Sequence, residues 1–213
     1  MKTILCYGDS NTWGAAPIPN WEEVRRYGPD ERWGSVLRAD LGDGYWVVEE
    51  GLGGRTTVWP DPIEGEHKSG KTYLVPCLES HAPLDLVVVM LGTNDLKHKF
   101  GLSASDIAAG AATLIDIIQR STAGPNDTAP RVLLICPPPV ATLTLFAEMF
   151  AGATEKSRDL ARCYSQVARE RHCEFLDAGQ VIVSSQIDGI HFDAPEQQKL
   201  GHAVAARVKS ILG

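Results

Sequence analysis

Residues 84–91, LDLVVVML, are apolar at almost every position, and residues 131–136 repeat the pattern. A strand with one face in water alternates apolar and polar side chains. A continuous run therefore implies a strand covered on both faces, the usual condition of a parallel sheet. Apolar runs of strand length bounded by turn residues recur at 3–7, 46–50 and 173–176, which makes five strands. Helical patterns fall between them at 33–41, 73–81, 103–120 and 154–172, and a last one covers 195–212. Ser103 and Asp106 form a capping box ahead of Ile107, while Leu200, Val204, Val208 and Ile211 make one apolar stripe. This alternation predicts a three-layer α/β/α sandwich of flavodoxin-like form with a mainly parallel five-stranded sheet. A chain of 213 residues, 44% hydrophobic, suits a single domain spanning 1–213.

In such sheets ligands sit outside the carboxyl ends of the strands. Three long loops, 15–32, 58–70 and 137–153, are expected to surround that edge. Pro137, Pro138 and Pro139 end the fourth strand, because proline cannot donate to the ladder.

Acidic residues outnumber basic ones 27 to 20, a net charge of -7 that argues against nucleic acid or an anionic membrane as partner. After Lys2 the apolar stretch is only Ile4 to Tyr7, so no export signal is expected, and no run approaches the roughly 20 residues that span a bilayer. The five cysteines form no Cys-x-x-Cys pair and read as buried free thiols, which points to a reducing cytoplasm.

The first strand runs into Gly8-Asp9-Ser10-Asn11-Thr12, a turn that sets Ser10 at the carboxyl end of the strand. Taken alone, Asp9 or Ser10 reads as a helix cap. As a nucleophile, Ser10 needs a base within hydrogen-bond reach and donors for the developing charge. Among the six histidines, His98 and His191 each follow an aspartate by three residues, Asp95 and Asp188, a spacing that lets a carboxylate hold an imidazole. His191 is the better base, because its loop precedes the last helix on the expected edge. His98 stands between Lys97 and Lys99, which disfavour an imidazolium. Oxyanion donors are expected from Gly51-Leu52-Gly53-Gly54 after the second strand and Gly92-Thr93-Asn94-Asp95 after the third. Each is ambiguous by itself; the weight lies in four polar clusters at four strand ends.

In order, Gly8-Asp9-Ser10, Gly53-Gly54, Gly92-Thr93-Asn94-Asp95 and Asp188-Gly189-Ile190-His191 resemble the four blocks of the SGNH (GDSL-type) hydrolases. The flanks look like the bacterial arylesterase and acyltransferase branch. The resemblance implies Ser10 as nucleophile, His191 as general base and acid, and Asp188 as its orienting carboxylate. The oxyanion hole would be the N–H groups of Ser10 and Gly54 with the Asn94 side chain. Asn11 and Gly53 replace the family's usual leucine and serine and are expected to alter the pocket wall. Asp9 is expected to hold the turn through backbone N–H groups.

The expected activity is a serine esterase acting on small acyl or aryl esters, with acyl transfer to alcohol or peroxide as an extension and no metal or organic cofactor. Trp13, Trp59, Phe146, Met149 and Phe150 are expected to line an acyl or aryl pocket, the alternative being that they anchor loops on the core. The apolar loops, including Trp21 and Leu145, predict a homo-oligomer that closes the pocket. Two rivals remain: a metal-dependent phosphoesterase using Asp9, Asn94, Asp188 and His191 as ligands, and a non-catalytic binding module on the same fold.

Overall fold

The computed structural model describes residues 1–213. Five parallel strands, β1 (Lys2–Gly8), β2 (Tyr45–Gly51), β3 (Leu86–Met90), β4 (Arg131–Cys136) and β5 (Glu174–Asp177), form one sheet in the order β2-β1-β3-β4-β5. The α-helices are α1 (Ser10–Trp13), α2 (Trp33–Leu41), α3 (Gly70–His81), α4 (Ala104–Arg120), α5 (Ala153–Glu170) and α6 (Ala194–Leu212). The strand order reverses between β1 and β3, and the loops leaving those two strands diverge to open a crevice there.

The apolar runs are continuous because each strand feeds two cores at once. Leu5, Tyr7, Val87, Val89, Val132 and Leu134 pack beneath α3, α4 and α5. The alternate residues Ile4, Cys6, Leu86, Val88, Met90, Leu133 and Ile135 pack beneath α2 and α6. Burial of each Val, Leu, Ile or Met side chain among these contributes about 1.5–3 kcal/mol. The stripe Leu200, Val204, Val208 and Ile211 lies in the second core, and Ser103 and Asp106 make both bonds of the capping box, at 3.2 and 2.9 Å.

Element ends depart from the sequence pattern where tertiary groups intervene. Helix α3 begins at Gly70 rather than residue 73, because the N–H groups of Gly70 and Lys71 find the carbonyls of Thr56 and Thr57 at 3.1 Å each. Strand β3 pairs over Leu86–Met90 and ends before Gly92, whose φ of 123° turns the chain out of the sheet. Helix α5 stops at Glu170, ahead of His172 in the left-handed region with φ of 49°. Strand β4 ends at Cys136, directly before the three prolines. No helix is long and apolar enough to cross a membrane. All five cysteines are free, four of them buried.

Candidate active site

Strand β1 delivers the chain to Gly8, where a Cβ would stand 2.0 Å from Thr12 Oγ1, so only glycine lets α1 fold back over the strand end. Asp9 caps α1: Oδ1 accepts the Asn11 N–H at 2.9 Å, as expected for a turn-holding carboxylate. Ser10 is the first residue of this one-turn helix, where backbone N–H groups have no intrahelical partner.

His191 Nε2 lies 3.1 Å from Ser10 Oγ, and its Nδ1 lies 2.6 Å from Asp188 Oδ2. Asp188 is fully buried, and its loop is tied down by the N–H groups of Ile190 and His191 on Oδ1, each at 2.9 Å, and of Ile18 on Oδ2 at 2.8 Å. Burial pushes the Asp188 carboxyl up, but the hydrogen bond and charge of His191 with these N–H groups outweigh it and hold the group below the usual carboxylate range. Gly189, at φ of 84°, makes the turn between them, and a Cβ there would meet Thr142 O at 2.7 Å.

The other aspartate–histidine spacing leads elsewhere. Asp95 accepts from Thr57 N and Oγ1 in the interior, while His98 is exposed and its backbone N–H donates to Met149 O at 2.8 Å. Burial pushes the Asp95 carboxyl up to about 7 despite the Thr57 bonds. Lys97 and Lys99, read from sequence as cations beside His98, turn instead to Glu64 and Asp61.

Gly54, at φ of 78°, and Asn94 share one cavity of about 350 Å³ with Ser10 and His191. The Gly54 N–H makes no hydrogen bond within the protein. Asn94 Nδ2 donates to Arg55 O at 3.1 Å and approaches Asp9 Oδ2 at 3.4 Å; these two acceptors fix which end of the amide is nitrogen. The longer contact is weak, so that N–H is the one free to turn to an oxygen in the cavity. Arg55 ties the two turns together. Its buried guanidinium donates to Gly8 O at 2.8 Å and Glu50 O at 2.5 Å and stacks 4.3 Å over the Tyr7 ring, with no carboxylate partner.

Asp9 has a further consequence. Burial pushes its carboxyl up to about 6, against the Asn11 bond and the charges of His191 and Arg55. A carboxyl with its folded pKa raised is destabilising once ionised, so its contribution to stability falls as pH rises from the ordinary 3.8 through about 6. Asp9→Asn, which cannot ionise, is expected to gain stability relative to wild type on going from pH 4 to pH 7. Urea midpoints of both proteins at the two pH values check this, and a constant difference would contradict it.

The rest of the cavity is lined by the apolar Ile18, Trp21, Phe146, Met149, Phe150 and Ile190 and by the charged Glu64 and Lys97. Phe146 stands edge-on to His191 at 6.0 Å between ring centroids and meets Trp21 at 5.3 Å. Of the residues expected at the pocket, Phe146, Met149 and Phe150 line it, and Asn11, Trp13, Gly53 and Trp59 do not. Asn11 points inward, donating to Ile190 O at 3.3 Å. Trp13 packs under the Arg26 guanidinium at 4.7 Å, Gly53 gives its carbonyl to Lys68 at 2.7 Å, and the Trp59 carbonyl accepts from Thr56 Oγ1 at 2.5 Å. Ile18, Glu64, Lys97 and Ile190 are lining residues that the sequence pattern did not single out. A larger groove of about 470 Å³ runs between α3 and α4, but residues such as Ala82 and Ala123 put it at the amino ends of the strands.

The donor set does not suit the metal rival. Both His191 nitrogens are engaged by Asp188 and Ser10, and Asp9 is turned into the protein at 2% exposure. The group whose ligand atoms do converge, Glu50, Cys77 and His81, lies on β2 and α3 away from this cavity.

The model of the GDSL-like lipase/acylhydrolase family matches residues 6–199. A carbohydrate acetylesterase of Sinorhizobium meliloti is 41% identical with a TM-score of 0.95, and the M. smegmatis aryl esterase is 42% identical with a TM-score of 0.95; each alignment covers 100% of both chains. A lipase/acylhydrolase of Enterococcus faecalis, 19% identical over 99% of this chain and 96% of its own, shares the fold at a TM-score of 0.69. No curated protein matches. With four polar strand ends gathered at one crevice and the family model covering nearly its whole length, the chain belongs to the GDSL-like lipase/acylhydrolase family.

Proposed function

We propose that the protein is a serine esterase for small acyl or aryl esters, working through an acyl-enzyme on Ser10. The observation that carries this is the unbroken hydrogen-bonded line Asp188–His191–Ser10, opening on a cavity that also holds Gly54 and Asn94. Ser10 Oγ attacks the ester carbonyl while its proton passes to His191 Nε2, and Asp188 stabilises the imidazolium. The charge on the carbonyl oxygen falls to the N–H groups of Ser10 and Gly54 and the Asn94 amide. His191 then protonates the departing alkoxide, and a water, alcohol or peroxide oxygen reverses the sequence to free the acyl group. No metal or organic cofactor is needed for these steps.

The apolar wall of Phe146, Phe150 and Ile190 suits a small acyl or aryl group, in keeping with relatives named as an aryl esterase and a carbohydrate acetylesterase. That wall also favours an alcohol over water as acceptor, which supports acyl transfer. Trp21 (60% exposed) and Met149 (39%) line the cavity yet remain open to solvent, and a second copy of the chain covering them is our reading of the oligomer. The free thiols are compatible with a cytoplasmic setting. A p-nitrophenyl ester series run with and without added alcohol tests the reading. Fast turnover of short esters, with transfer product when alcohol is present, is expected; no turnover of any chain length would contradict it. Light scattering on a dilution series tests the oligomer, and a monomer at every concentration would remove it.

A further inference from the structure

The charged part of the cavity lining is built with more care than a solvated rim needs. Lys97 is 4% exposed, yet its Nζ reaches Glu64 Oε1 at 2.8 Å, and Asp61 Oδ2 lies 4.0 Å away. Asp61 is buried too; it binds Lys99 at 2.5 Å, and its other oxygen accepts the N–H groups of Ile63 and Glu64 at 2.8 and 2.9 Å. Lys68 lies 3.5 Å from Glu64 Oε2 and gives a hydrogen bond to Gly53 O. The backbone and head group of Glu64 are thus both fixed, while its side chain keeps 37% exposure where it lines the cavity. Glu64 Oε2 sits over the turn bearing the free N–H of Gly54, since a Cβ built there would meet it at 2.8 Å.

Three lysines and two carboxylates meet here, and Glu64 and Lys97 are the two of them that line the cavity. Each lysine Nζ is turned to a carboxylate or a carbonyl, and Glu64, with one hydrogen bond on Oε1 and Lys68 at 3.5 Å from Oε2, retains unused acceptor lone pairs. Burial pushes the Glu64 carboxyl up, but the hydrogen bond and charge of Lys97, with the charge of Lys68, outweigh it and keep it ionised at neutral pH. On an alkyl ester an ionised carboxylate in the cavity wall meets no hydrogen-bond donor. A hydroxyl hydrogen satisfies it with a charge-assisted bond. We propose that Glu64, held by Lys97, is a specificity-determining residue that accepts hydrogen bonds from substrate hydroxyl groups, so that the enzyme favours hydroxylated esters over their deoxygenated counterparts. This rests on the serine-esterase reading and adds a substrate class to it.

The test compares kcat/KM within two matched pairs of esters. Propyl acetate and 2,3-dihydroxypropyl acetate place the hydroxyls on the alcohol; propyl butanoate and propyl 3,4-dihydroxybutanoate place them on the acyl group. Wild type is expected to favour the hydroxylated member of at least one pair by about tenfold or more, because a site built to bind a hydroxyl discriminates against its absence. Glu64→Ala is expected to erase about tenfold of that preference, and Glu64→Gln, which keeps a neutral acceptor, to fall between. Each preference is a ratio measured on one preparation, so loss of folded protein does not alter it. The pair that responds identifies the half of the ester that Glu64 reads. If wild type turns over the plain esters but neither preference moves in Glu64→Ala, Glu64 is a rim ion pair and the inference fails while the esterase reading stands. If wild type hydrolyses none of the four, the esterase reading fails and this inference with it.

Discussion

His191→Ala is expected to lower kcat by about 10³-fold or more, and His98→Ala to leave it within a few-fold of wild type. The two histidines share an identical spacing from an aspartate, so the comparison isolates position from composition. His191 joins Ser10 and Asp188 at 3.1 and 2.6 Å, whereas the His98 side chain is exposed and Asp95 is committed to Thr57. Without the imidazole, Ser10 keeps its proton, and the buried Asp188 carboxylate loses the partner that holds its pKa down. The damage should therefore extend to stability: Asp188 then becomes a buried charge with only backbone donors. Steady-state kinetics with one p-nitrophenyl ester on both variants reads the outcome. If His98→Ala is the inactive one, the site assignment is wrong.

Asn94→Ala should cost roughly 10²- to 10³-fold in kcat with little change in KM. Its amide is anchored on Arg55 O at 3.1 Å, and the loose contact to Asp9 yields to an oxyanion that carries more charge than the ground-state carbonyl. Selective loss in kcat is the signature of an interaction made chiefly in the transition state. A rise in KM with kcat unchanged would make Asn94 a ground-state binding residue instead.

What the sequence reveals about this site follows from how locally each feature is encoded. Ser10 is legible because Gly8 and Asp9 beside it dictate a turn that few other residues permit, and Asp188 and His191 because one glycine turn holds both. The centre of the sheet is legible because alternating burial in two cores demands apolar residues along β1, β3 and β4. The cavity walls are not encoded that way. Ile18 is set by its N–H bond to Asp188, a partner 170 positions away, and Glu64 by Asp61 and by a lysine 33 positions on. Trp13 and Trp59 have the right chemistry for a pocket, but a neighbouring arginine and a local turn claim them. Loop side chains take their direction from such distant contacts, which leave no period in the sequence. Arg55 is a related case: adjacent to Gly54 and plainly visible, it gains its meaning only when Gly8 and Glu50 are brought to it by β1 and β2.

The central claim is that Ser10 is the nucleophile and that no metal takes part. Treatment with a serine-directed organophosphate, followed by peptide mass analysis, tests it in one measurement when a chelator-treated sample is run alongside. Complete loss of esterase activity with a single phosphoryl adduct on Ser10 is expected, with full activity in the chelated sample. Activity lost to chelator, restored by divalent metal and accompanied by no adduct on Ser10 would contradict it.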